Sequence, residues 1–222
     1  MDLIINGGFE TGDYSGWTAL ALPNSNGGIL VRPNGANGAF PNQPTNPNPG
    51  GGNRVSMTDQ RGPGTCTLVQ AFTIPAKTLT VSLSFDHVAT NRAADAIVAP
   101  VRLGHTGPAN QHARADLLFA GANPFSTNPA DIVLNTDLGA DPGQPAAWAN
   151  HVFNLTGVLL PGQSCQIRFG QTDNQLFFNQ GVDKVSRTVA FIPEPGTWAM
   201  LIAGFGIVRA AARRRRSRPH LA

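Results

Sequence analysis

The sequence predicts an all-β chain, an antiparallel β-sandwich or jelly roll followed by one C-terminal transmembrane helix. Three observations carry that prediction. Apolar and polar residues alternate over Thr78–Asp86, with Leu79, Val81, Leu83 and Phe85 on one side and Thr80, Ser82, Ser84 and Asp86 on the other. This is the period of a strand with one buried face. Short runs of the same kind recur between turns rich in the chain's 25 glycines and 18 prolines, and charged residues make up only 13% of its 222 residues, about half the usual globular share. At the C-terminus an apolar run from Thr197 to Val208 gives way to Arg213–Arg216.

Taken in order, strands are expected at Leu3–Asn6, Trp17–Leu22, Gly28–Arg32, Arg54–Thr58, Cys66–Ile74, Thr78–Asp86, Ala115–Ala120, Ala149–Leu155, Cys165–Gly170 and Val182–Phe191. About ten short strands separated by Gly, Pro and Asn turns favour a sandwich over helical architectures. Cys66–Ile74 puts Cys66, Leu68, Phe72 and Ile74 on one face, interrupted by Gln70, and Pro75-Ala76-Lys77 turns the chain into the next strand. Residues 33–53 are dominated by Asn, Pro and Gly and read as a long surface loop with little to bury. Asn128-Pro129-Ala130-Asp131 offers an N-cap, a proline at the first helical position and an acid in the first turn. A short helix carrying Ile132, Val133 and Leu134 is expected there. The division is then a body over residues 1–191 and a tail over 192–218.

The net charge of +3 averages two unlike parts. Six of the sixteen basic residues are Arg209, Arg213, Arg214, Arg215, Arg216 and Arg218, while residues 1–192 hold 10 basic and 12 acidic groups. A nucleic-acid-binding domain spreads Lys and Arg over a folded face that tracks phosphates, so a body with more acids than bases disfavours that class. In the tail, residues 197–212 as a helix would span about 24 Å against a hydrocarbon core of about 30 Å. Interfacial Trp198 and snorkelling arginines shorten that gap. Arg209 falls one turn before the cluster, and the arginines would place the C-terminus in the cytoplasm.

In the order Pro193-Glu194-Pro195, apolar stretch, Arg213–Arg216, the last 27 or so residues resemble the PEP-CTERM protein-sorting signal of Gram-negative bacteria. The resemblance implies export, contact with the inner membrane through residues 197–212, and processing by an exosortase in cells that make exopolysaccharide. The body resembles galactose-binding-like jelly rolls, the fold of many carbohydrate-binding modules, in Asn6-Gly7-Gly8-Phe9-Glu10 followed by Gly16-Trp17. The segments 57–65, 83–86 and 173–183 are similar to a set of PEP-CTERM proteins sharing that domain. A secreted protein needs a signal peptide, and Met1-Asp2-Leu3-Ile4-Ile5-Asn6 lacks the basic and apolar regions of one. The expectation is that the true start lies upstream of Met1.

In related jelly rolls an acid of the opening strand and one of the closing strand hold a structural calcium. Glu10 and Asp183 occupy the matching places; alternatively both cap turns. The chemistry suits Ca²⁺, which takes hard oxygen ligands. For a sugar, Trp148 is the candidate platform, against a core or edge-covering role, since Trp17 belongs to the opening motif and is expected to be buried. Cys66 and Cys165 are the only cysteines. In an oxidising compartment they are a candidate disulfide, and otherwise two small buried hydrophobes. His87, His105, His112 and His151 show no zinc-site spacing, and no nucleophile elbow is present. The expected function is a non-enzymatic, exported surface protein associated with exopolysaccharide. The alternative is a carbohydrate-binding module, and the third reading a polysaccharide hydrolase. No required cofactor and no nucleic-acid partner are expected.

Overall fold

A computed structural model describes residues 1–36, 46–59, 61–91, 102–137, 147–175 and 178–191, with Phe205, Ile207 and Arg209. The strands are β1 (Thr18–Ala21), β2 (Ile29–Pro33), β3 (Arg54–Thr58), β4 (Gly64–Thr73), β5 (Thr78–Asn91), β6 (Gln111–Phe119), β7 (Ile132–Asp137), β8 (Ala149–Asn154), β9 (Ser164–Asp173) and β10 (Phe178–Phe191). They form two five-stranded sheets in the orders β1-β4-β9-β6-β7 and β2-β3-β10-β5-β8. The sandwich expected from the alternation is therefore present, and the pairings that are described are antiparallel. The turn at Pro75–Lys77 does not make a hairpin; it carries the chain from one sheet to the other.

The inner faces meet in one apolar core. Leu68 and Phe72 of β4, Ala115 and Leu117 of β6, and Ile167 and Phe169 of β9 face Val81, Leu83 and Phe85 of β5 and Val182, Val185 and Val189 of β10. Leu79, expected on the buried side, is 56% exposed, because the pairing of β5 with β8 begins only at Ser82. Val182 and Val185 both point inward although they are three apart. Lys184 between them has a φ of +51°, the mark of a bulge that shifts the alternation by one residue. The bulge presents Asp183 and Lys184 side by side on the outer face.

Leu3–Asn6 is not a strand. The opening segment instead lies against β10, with Leu3 N–H donating to Arg187 O at 2.9 Å and Val185 N–H donating to Gly7 O at 3.0 Å. The opening motif lids the core. Phe9 and Trp17 are buried, their rings 5.6 Å apart, and the Trp17 indole N–H donates to Asn6 O.

Three further expectations need correction. Asn128 does cap a helical turn, accepting from Ala130 N–H at 3.0 Å, but the 3-10 turn ends at Asp131. Ile132, Val133 and Leu134 belong to β7, where two β-branched residues suit a pleated edge. Cys66 and Cys165 are free, buried thiols. On the paired strands Cys66 faces Gln171 while Cys165 faces Phe72, six residues apart, or roughly 20 Å along the sheet. A disulfide needs Cα atoms within about 7 Å.

The C-terminal transmembrane helix is the third. Among the described residues no helix is long and apolar enough to cross a membrane, and the apolar run is interrupted at Arg209, short of a hydrocarbon core. Residues 191–222 form a unit separate from Met1–Ala190. Of that unit Phe205, Ile207 and Arg209 are helical, and Pro193-Glu194-Pro195 and Arg213–Arg216 lie outside the described residues.

Candidate functional site

The outer face of the second sheet gathers polar side chains around Trp148. A pocket of about 150 Å³ is lined by Asn48, Pro49, Gly50, Asp86, Trp148, Asn150 and Lys184. Asp86 is at its centre, outward-facing on β5 because its neighbours Phe85 and His87 point inward. Its carboxylate accepts from Asn150 Nδ2 at 2.6 Å, from Asn48 Nδ2 at 2.9 Å and from Lys184 Nζ at 3.0 Å. Burial opposes its ionisation, but these hydrogen bonds and the lysine charge outweigh it and hold the carboxyl below its ordinary range.

Trp148, immediately before β8, is half-buried and is tethered, its indole N–H donating to Asn46 O at 2.8 Å. Gly181 of β10 makes room for it. A Cβ there would lie 2.9 Å from the indole Cη2, 2.6 Å from Val88 Cγ1 and 2.8 Å from Met57 Sδ. The tether fixes the ring before any ligand arrives, which lowers the ordering cost of binding. The Asn/Pro/Gly loop thus does more than cover surface. Its Asn48 is buried and joins two carboxylates, donating to both Asp86 Oδ2 and Asp183 Oδ2 at 2.9 Å. Residues 37–45 of the loop lie outside the described residues.

Glu10 and Asp183 come together beside this pocket. A Cβ on Gly8 would lie 3.8 Å from Glu10 Cγ and 3.9 Å from Asp183 Oδ1. Two loop glycines close over the pair: a Cβ on Gly51 would collide with Asp183 Oδ2, and one on Gly52 with Glu10 Oε1. Burial pushes the Asp183 carboxyl up to about 6, opposed by the Lys184 N–H and the Asn48 amide and reinforced by the Asp86 and Glu10 charges. Glu10 and Asp183 supply hard carboxylate oxygens of the kind calcium takes, and Asp183 Oδ2 already accepts from the Asn48 amide. Glu10 Oε1 also accepts from Arg54 N–H at 3.0 Å, so that oxygen also serves a turn.

The histidines divide. His105 Nδ1 is 3.2 Å from Thr65 Oγ1, and His112 Nδ1 is 3.1 Å from Asn110 Oδ1. Burial, aided by the Arg114 charge, pushes His112 down to about 4. His87 and His151, by contrast, lie within reach of each other and of Asp137. Their spacing in sequence hides this, because the strand register, not the interval, brings them close. A larger cavity of about 430 Å³ is lined by Arg114, Thr127, Pro129 and Ile132–Asn135, without an aromatic platform.

No protein-family model matches the chain, and no curated protein does. Solved structures share its architecture. TmCBM61, in complex with β-1,4-galactotriose, aligns with a TM-score of 0.51 over 86% of this chain and 99% of its own at 14% identity. A Stig cyclase, Fisc from Fischerella sp. TAU, aligns with a TM-score of 0.51 over 87% of this chain and 99% of its own at 16% identity. At such identity the likeness is one of fold: a two-sheet jelly-roll sandwich used by a carbohydrate-binding module and by a cyclase.

Proposed function

We propose that the body is a carbohydrate-binding module that holds a galactose-containing polysaccharide in the Trp148 pocket. The observation that carries this reading is the tethered indole set beside Asp86, Asn150 and Lys184, an apolar face with convergent hydrogen-bonding groups. The shared fold with a module solved on β-1,4-galactotriose supports that choice of ligand. Wild-type protein is expected to be retarded in native gels containing β-1,4-galactan, and Trp148→Ala to lose at least about tenfold in affinity, a hot-spot loss. Gly181→Ala, which wedges a methyl under the indole, is expected to weaken retardation as well. Unretarded, folded wild-type protein would remove the reading. Release of reducing ends from the galactan would favour the hydrolase instead.

The remainder of the reading concerns location and metal. The Pro193-Glu194-Pro195 motif and Arg213–Arg216 support export, sorting and processing by an exosortase, with the module delivered to the exopolysaccharide outside the cell. Fractionation of cells with and without the exosortase is expected to show a shortened protein only in the former; full-length protein in both would sink it. For the Glu10 and Asp183 cradle, calcium is expected to raise the unfolding free energy by about 3 kcal/mol at a hundredfold excess over Kd. Calorimetry with Ca²⁺ and with chelator checks this, and Asp183→Asn is expected to abolish the difference.

A further inference from the structure

His87, His151 and Asp137 meet where the two sheets end. In the described strand order β7 closes one sheet and β8 the other. Asp137 is the last residue of β7, His151 lies on β8, and His87 projects inward from the neighbouring β5. The three donor atoms lie within 4.8 Å of one another. His87 Nδ1 is 2.6 Å and His151 Nε2 is 4.0 Å from the same oxygen, Asp137 Oδ2. Side-chain exposure falls from 23% at His151 and 17% at Asp137 to 4% at His87, so the cluster opens to solvent on one side and is closed on the other.

We propose that His87, Asp137 and His151 form a binding site for a divalent transition metal ion, zinc by its donor set, which clamps the β7 edge to the β8 edge. Two imidazole nitrogens and a carboxylate oxygen suit Zn²⁺ and are poor partners for Ca²⁺. A tetrahedral zinc with bonds near 2.1 Å sets its donors about 3.4 Å apart. All three donors lie within 4.8 Å of one another, two of the separations being 2.6 and 4.0 Å, so side-chain shifts of up to about an ångström bring them to that spacing. Three protein donors leave a fourth position for water or a small ligand.

The surroundings hold the ligand rings in place. The His151 ring is stacked on Phe85 with centroids 5.0 Å apart. His87 Nε2 lies 2.9 Å from Gln180 Nε2, an amide donor, so without metal it accepts and Nδ1–H donates to Asp137. On metal binding Nδ1 becomes the ligand and the ring proton moves to Nε2. The Gln180 side chain turns over to present its carbonyl oxygen, becoming the outer partner that metal-bound histidines keep. Gln180 is therefore assigned as a positioning residue.

Full-length, tag-free protein stripped with EDTA is titrated with ZnCl₂ against a chromogenic chelator, and with CoCl₂ for its visible d–d bands. About one equivalent of tight Zn²⁺ is expected, with intense four-coordinate cobalt bands that Zn²⁺ bleaches and excess Ca²⁺ leaves alone. His151→Ala and Asp137→Asn are each expected to weaken zinc at least about tenfold. Gln180→Leu is expected to weaken it roughly tenfold, whereas Gln180→Glu, which keeps an acceptor for the His87 Nε2–H, is expected to restore tight binding. Near-UV dichroism establishes that each variant is folded. No tight zinc on the folded wild type, or zinc unaffected by His151→Ala, overturns the proposal. Neither result bears on galactan retardation at Trp148, so the two readings fail separately.

Discussion

Asp116→Ala is expected to destabilise the body by about 3–5 kcal/mol, the range for breaking a buried ion pair from one side. Asp116 is, among the described residues, the acidic member of a buried cluster on the outer face of the first sheet. Arg114 Nε donates to its Oδ2 at 2.8 Å and Arg114 Nη2 to its Oδ1 at 2.9 Å. Arg168 Nε and Nη2 also donate to Oδ2, and Asn135 Nδ2 to Oδ1 at 2.7 Å. Through Arg168 Nη1, which donates to Pro124 O and Ser126 O, one carboxylate links β6, β7, β9 and the connecting loop. Alanine would leave two buried guanidinium groups without their counter-charge. Urea unfolding at neutral pH measures the loss, a large share of a typical stability of 5–15 kcal/mol.

The same site sets an acid limit. Burial opposes ionisation of Asp116, but the Arg114 hydrogen bonds and the charges of Arg168 and Arg114 win, and its carboxyl is held below the ordinary range. In the unfolded chain it titrates near pH 4. Between that value and the lower folded one the unfolded chain binds more protons, so stability falls as pH falls. The contribution is whole above about pH 4 and is lost on acidification through the folded pKa. Unfolding curves taken across that window are expected to show this slope in the wild type and a shallower one in Asp116→Asn.

Gly7→Ala is expected to cost more than about 3 kcal/mol, beyond the usual range for overpacking, whereas Gly8→Ala next to it is expected to be nearly neutral. A Cβ on Gly7 would fall inside the Val185 carbonyl oxygen and 2.8 Å from its carbon, both backbone atoms that cannot rotate away. Relief requires moving the opening segment off β10 and breaking the Val185 N–H to Gly7 O bond, which unseats Phe9 and Trp17 from the core. A Cβ on Gly8 meets nothing closer than 3.8 Å, ordinary contact. Thermal unfolding of the two variants separates them, and equal midpoints would contradict the close approach at Gly7.

The sheet skeleton was legible in the sequence because a strand with one buried face writes its period into local residues, as Val81, Leu83 and Phe85 do. Misreadings arose where local signals compete. Asn128 and Pro129 are sound helix starters, and nothing local says that the turn stops at Asp131; the β-branched Ile132 and Val133 were the available warning. Trp148, Glu10 and Asp183 were reachable from residue type and motif. Asn48 was not, because a buried bridging amide inside an Asn/Pro/Gly tract looks like its solvated neighbours. The His87, Asp137 and His151 group depends on register between strands and on the stacking of two sheet edges. Those are long-range relations that one-dimensional spacing does not encode.

The strand that leads into the C-terminal segment is β10, and it lies between β3 and β5 within its sheet. Its own first half faces Ser56 and Met57 of β3, while its second half is gripped by the opening segment through Met1, Asp2 and Gly7. If the chain is held at its C-terminal end while the body grips a polymer, tension enters along the length of an interior strand. Its ladder of hydrogen bonds is then loaded in shear, all at once, instead of being peeled open one after another from an edge. An attachment through β7 or β8, each at the end of its sheet, would under the same pull load an edge strand instead.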